Sequence, residues 1–167
     1  SLRCELLHEG SNISVSMLQM PGMNTIQFDW AKNLFDHKYQ PVGDVFDPDV
    51  AAEAAWRAVH EAPRELWVGG SAIKAIVGQM VYPPLLDRMM SQTGFNQQIS
   101  DDPEIPGRPN NLHEPVKAGV AARGRFSDRA KPKAMIIDPT RLRMAAGLAI
   151  LGGLVLAGLG VAMGRRA

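Results

Sequence analysis

The stretch Ser14–Thr25, SVSMLQMPGMNT, constrains the fold more than any other part of the chain. Ile13, Val15 and Met17 alternate, and the run then turns apolar on both faces. That pattern predicts a strand covered on both sides, as in a parallel sheet flanked by helices. The run stops at Pro21-Gly22, and the polar pair Asn24-Thr25 follows. A second short apolar run, ELWVGG at Glu65–Gly70, predicts another strand ending in glycine.

Helical patterns surround these two runs. In SLRCELLHEG, Leu2, Leu6 and Leu7 share one face and Gly10 suits a helix C-terminus. Ile26 and Trp30, with Phe28, Ala31 and Phe35 on a neighbouring face, predict a short helix capped by Asn24 or Thr25. Asn33–Asp47 reads as loop, broken by Pro41 and Gly43. Asp47-Pro48 is a helix start, with Asp as N-cap and Pro in the first turn. Ala51, Ala54, Ala55 and Ala58 repeat behind it, small enough to let a helix lie close to a sheet, and Pro63 ends the pattern. Ser71 could cap a further helix carrying Ile73, Ile76, Val77 and Met80, and Pro83-Pro84 separates it from a short helix near Leu85–Met90. Helix, strand, turn, helix, strand, helix is half of a doubly wound α/β fold.

From about Gln97 to Pro139 no periodicity survives. Pro103, Pro106, Pro109 and Pro115 lie among Asp, Asn, Gly and Arg, which predicts an irregular linker. The C-terminal run MAAGLAILGGLVLAGLGVAM, Met144–Met163, is uncharged, and as a helix it would be about 30 Å long, the thickness of a hydrocarbon core. Arg141 and Arg143 precede it and Arg165 and Arg166 follow. A single-pass C-terminal membrane anchor is the expectation, with a buried terminal helix as the alternative. Small residues at 145, 149, 153 and 157 could pack against another helix in lipid, or could simply be common there. The excess of Lys and Arg before the run places the folded part on the cytoplasmic side. The expected organisation is a folded part at 1–96, a Pro-rich and basic linker at 97–140, and a transmembrane helix with Arg flanks at 141–167.

Composition excludes some functions. A net charge of +1 gives no basis for a nucleic-acid partner. Cys4 is the only cysteine, so no internal disulfide can form. His8, His37, His60 and His113 lack metal-ligand spacing, and neither Tyr39 nor Tyr82 has a lysine four residues on. No catalytic residue and no metal site is therefore assigned within the chain. Ser1 opens inside a helical pattern, which predicts further sequence before it.

The candidate chemistry sits where the first strand ends. In parallel α/β sheets ligands bind beyond the carboxyl ends of the strands. Gly22 allows close approach to the backbone, groups near Met23 can pair with a flat amide, and the Thr25 hydroxyl can donate to phosphate or carboxamide oxygens. In order and spacing, SLRCELLHEG, ISVSMLQMPGMNT, DPDVAAEAAWRAV and RELWVGG resemble the C-terminal half of a short-chain dehydrogenase/reductase. That family carries an S-L-R-x-E-L helix, then a strand ending in a Pro-Gly loop with a hydrophobic residue and a Thr two positions on. Met23 and Thr25 match this last pair, with Pro-Gly one residue closer to Thr than is common. The resemblance covers about Ser1–Gly94.

The resemblance implies a Rossmann-like parallel sheet and an NAD- or NADP-dependent oxidoreductase acting on an alcohol or carbonyl. It implies cofactor contacts from the loop Pro21, Gly22, Met23 and Thr25, and a substrate pocket lined by Phe28, Trp30 and Phe35. Ordinary packing is the alternative for the three aromatics. The implied partners are the nicotinamide cofactor and a small alcohol or carbonyl substrate; the expected membrane anchor would suit a lipophilic one, and a homo-oligomer is a further expectation. The family's Gly-rich phosphate loop and Tyr-x-x-x-Lys are absent from these residues, so the chain alone is expected to be inactive. A membrane-anchored docking module that retains a remnant of this fold is the alternative function.

Overall fold

In the computed structural model, residues 1–147 and 149 are described. Helix α1 (Leu2–His8) opens the chain, and Gly10, at φ +65°, closes it. The Gly10 and Ser11 amides donate to the Leu7 and Leu6 carbonyls at 3.2 and 2.9 Å, which satisfies two of the last free carbonyls of the helix. The Arg3 guanidinium donates to the Val15 carbonyl, and to that of Arg64 at 3.2 Å, tying α1 to the start of both strands.

Strand β1 (Met17–Gln19) is followed by β2 (Gly22–Met23), helix α2 (Gln27–Trp30), β3 (His37–Tyr39), β4 (Val45–Phe46) and helix α3 (Pro48–Glu61). Then come β5 (Glu65–Val68), helices α4 (Gly70–Val81) and α5 (Pro83–Gln97), and strands β6 (Ile99–Pro103) and β7 (Ile136–Ile137). Residues 139–147 form a last helical stretch, α6. Strand β1 pairs in parallel with β5, Leu18 opposite Leu66. The Asp47 carboxylate caps α3 by accepting the Asp49 amide at 3.0 Å, with Pro48 in the first turn. The buried stripe of α3, Val50 and Ala54, packs with Phe46 and Val68 to form the core, and Leu18, Met20, Met23 and Ile136 close around it.

The expectation of half a doubly wound parallel sheet, followed by an irregular linker and a transmembrane helix, is corrected here. The three-stranded sheet is mixed, in the order β1-β5-β7, with β7 antiparallel to β5 and supplied by the Pro-rich segment. Two small sheets accompany it: β2 with β4, parallel, and β3 with β6, antiparallel. Strand β1 is three residues long, and Met17 at its start is exposed. The single-pass anchor is corrected too. No helix among the described residues is long and apolar enough to cross a membrane. The start of α6 is bound to the folded part. Asp138 accepts the Thr140 amide at 2.8 Å, and Arg141 bridges to Glu61 of α3 at 3.1 Å. Of the expected span 144–163, residues 148 and 150–163 lie outside the described residues.

Candidate functional site

The Pro21–Thr25 loop leaves the carboxyl end of β1, beside the Gly69-Gly70 turn that ends β5. It is held as a short strand: β2 pairs with β4, Gly22 opposite Val45 and Met23 opposite Phe46. Glycine at 22 answers to the protein's own packing, since a Cβ there would lie 2.9 Å from Pro41 Cβ and 3.3 Å from the Asp44 carbonyl. Gly69, at φ +77°, is boxed in by Phe46 and by Pro21, whose Cγ lies 3.0 Å from the position of an added Cβ. The Thr25 amide donates to the Met23 carbonyl at 2.9 Å, turning the chain out of the strand. Thr25 is half-buried, and its hydroxyl has no hydrogen-bond partner among the described residues. Helix α2 is a single turn whose N-cap is Ile26, so neither Asn24 nor Thr25 caps it.

Asn24 lies at the centre of this loop and is the one buried polar side chain among the described residues, with 0% exposure. Its amide donates to the Phe46 carbonyl at 2.8 Å, and its own carbonyl accepts the Gly124 amide at 3.1 Å. The side chain spans to the basic segment: Oδ1 accepts the Phe126 amide at 2.9 Å, and Nδ2 donates to Ser127 Oγ at 3.0 Å. Gly124 sits so close that a Cβ would fall 2.3 Å from the Thr25 carbonyl oxygen. Backbone cannot yield as a side-chain tip can, so Gly124→Ala is expected to cost about 1–3 kcal/mol; thermal melts of the two proteins check this.

Of the three aromatics, Phe28 is packing. Its ring centroid lies 5.4 Å from that of Tyr39 and 5.3 Å from that of Phe126, edge-on to the latter. Arg125 and Arg129 both lie over the Phe126 ring, at 4.9 and 4.8 Å. Phe35 instead lines a cavity of about 400 Å³ between residues 32–36 and 104–110. Trp30 is half-buried and does not line the cavity; its carbonyl accepts the Asn111 amide at 2.8 Å. Thus Phe35 lines a cavity that none of Pro21–Thr25 lines, and Phe28 lies between Tyr39 and Phe126.

One wall of the cavity is pinned by a charged cluster the sequence reading did not single out. Arg108 donates to Glu104 from two nitrogens, at 3.0 and 3.2 Å, to the Ala31 carbonyl at 3.0 Å and to the Asp29 carbonyl. Asn33 donates to Glu104 at 2.6 Å. An i,i+4 Glu–Arg pair is visible in the chain, but its docking on Asp29 and Ala31 depends on the pairing of β3 with β6. Nearby, burial pushes the Tyr39 phenol above its ordinary pKa, and its hydroxyl has no partner among the described residues.

Hydrogen bonds from Arg108, reinforced by Asn33, hold the Glu104 carboxyl at about 2, below an unperturbed 4.5, against the opposing effect of burial. A depressed folded-state pKa stabilises fully above the unfolded value and is lost as pH falls through the folded one. Glu104 therefore contributes in full above about pH 4.5, and its contribution disappears by about pH 2. Glu104→Gln is expected to flatten the fall in urea midpoint across that window.

No protein-family profile and no solved structure matches the chain. The chain is similar to the uncharacterized oxidoreductase YxnA of Bacillus subtilis (strain 168), 23% identical over 158 residues. The match covers 93% of this chain and 43% of that protein, so the chain spans less than half the length of this curated relative.

Proposed function

We propose that these residues form the nicotinamide-facing edge of an NAD- or NADP-dependent oxidoreductase of the short-chain dehydrogenase/reductase kind, acting on an alcohol or carbonyl. The observation that carries this reading is the placement of Pro21–Thr25 at the carboxyl end of a strand in a parallel pair, with the Thr25 hydroxyl unpartnered among the described residues. The donor set fits a carboxamide or phosphate oxygen: a half-buried, uncommitted hydroxyl on a backbone fixed by β4. Similarity to a protein named an oxidoreductase supports the reading at the level of reaction class.

In this reading Met23 and Thr25 hold the nicotinamide end of the cofactor, and Pro21 and Gly22 shape the turn that presents them. When bound, the nicotinamide supplies hydride donor and acceptor chemistry. The chain's own residues bind, orient and shield it, and the proton-transfer groups belong to the remainder of the enzyme. None of the three aromatics is assigned to substrate in this reading, since Phe35 lines a cavity that none of Pro21–Thr25 lines.

Thr25→Val keeps the shape and removes the hydroxyl. In the intact protein it is expected to weaken NADH or NADPH binding about tenfold, the worth of one good hydrogen bond in a shielded site. Titration of cofactor fluorescence checks this, and unchanged binding by the variant would count against the assignment of Thr25.

A further inference from the structure

The basic segment Arg123–Ser127 falls in the stretch that lacks any periodicity, yet it is built onto the cofactor loop. We infer that this segment is a clasp that sets the conformation of Met23–Thr25, and that Asn24 is the positioning residue through which it acts. The inference rests on the reading of Pro21–Thr25 as a cofactor loop.

Three features converge on it. Asn24 uses both ends of its side-chain amide on the segment, accepting from the Phe126 amide and donating to Ser127 Oγ, with no exposure to water. Its carbonyl accepts the Gly124 amide, and Gly124 packs against the Thr25 peptide more closely than any residue with a side chain could. The segment is itself anchored on both flanks. Arg123 donates to Asp47 at 2.8 and 3.0 Å and to Asp49 at 2.8 Å, at the start of α3. Arg125 donates to Asp29 of α2 at 2.7 Å and to the Tyr39 carbonyl of β3 at 2.5 Å. The clasp therefore bridges the cofactor loop, the helix behind it, and α2 with β3. Asn24 points into the clasp and does not meet the cofactor; its effect reaches the ligand through Met23 and Thr25.

Linkage gives a test that a purely structural role would not satisfy. If the closed clasp favours the binding-competent loop, bound cofactor must in turn favour the closed clasp. Titration of the intact protein with NADH and with NADPH, alongside hydrogen exchange at the Gly124 and Phe126 amides, measures both directions. Cofactor is expected to slow exchange at these two amides. Asn24→Ala is expected to raise the Kd about tenfold, and Asn24→Asp, which keeps the acceptor for the Phe126 amide, to recover most of the loss.

Ser127 is exposed, so Ser127→Ala keeps the test alive should Asn24→Ala fail to fold; about a threefold rise in Kd is expected from it. Tight cofactor binding by the unaltered protein, with no change in Kd for any variant and no change in exchange at Gly124 and Phe126, would overturn the clasp and leave the cofactor loop standing. Failure of the unaltered protein to bind either cofactor would overturn both.

Discussion

Arg108→Met is expected to destabilise the protein by about 3 kcal/mol, the lower end of the cost of breaking a buried ion pair. The lower end applies because the Arg108 and Glu104 side chains retain 18% and 12% of their exposure. Removing Arg108 leaves the Glu104 carboxylate with Asn33 and the Ile105 amide but no positive charge, and takes the donor from the Asp29 and Ala31 carbonyls. Urea denaturation of the two proteins measures the loss. Arg108→Met combined with Glu104→Gln is expected to cost less than the sum of the single changes, because the second substitution removes the charge that the first strands. An additive result would mean that the pair is not coupled.

Asn24→Leu is the other large effect, also about 3 kcal/mol. Leucine keeps the branching of asparagine but is bulkier and cannot hydrogen-bond, so crowding adds to a polar cost: the Phe126 amide loses its acceptor where no water reaches, and Ser127 Oγ loses a donor. An unsatisfied buried amide costs about 1–3 kcal/mol, and the lost partner on the other side adds to it. A chemical denaturation midpoint within experimental error of the unaltered protein would show that the loop is not closed as described. The same position thus carries both stability and the shape of the candidate site.

Much of the local structure could be read from the chain. Asp47-Pro48 is a helix start whose chemistry is local, and α3 begins there with the Asp47 carboxylate on the Asp49 amide. Leu66, Trp67 and Val68 form a run apolar enough to be a strand in any context, and all three are buried in β5. The Pro-Gly turn after Met20 was legible for the same reason. What could not be read depends on partners distant in the chain. Ile136 and Ile137 are two apolar residues among prolines and charges, and become a strand only because β5 offers an edge. Phe126 stands alone in a basic stretch, and its burial depends on Asn24, Phe28 and two arginines. A lone aromatic beside a glycine in a charged segment was the available signal for the clasp, and periodicity is blind to it. The apolar run from Met144 invited a membrane reading by composition. No helix among the described residues is long and apolar enough to cross a membrane, and Arg141, just before that run, is tied to Glu61 of α3.

The site was legible in part. Thr25 could be placed at the end of a strand from the sequence. The packing demand for glycine at 22 could not be read, because only the folded chain brings Pro41 against it. The aromatics could not be sorted by pattern: Phe28 and Phe35 fall on one helical face and Trp30 on its neighbour, while α2 is one turn and ends at Trp30, so Phe35 leaves on a separate path toward the cavity.

The most direct measurement is a nuclear Overhauser experiment on the intact protein, methyl-labelled at methionine and threonine, with NAD or NADP bound. Contacts from the nicotinamide ring protons to the Met23 ε-methyl and the Thr25 γ-methyl are the expected result. Bound cofactor whose nicotinamide protons show no contact to either methyl would contradict the assignment of this loop as the nicotinamide edge.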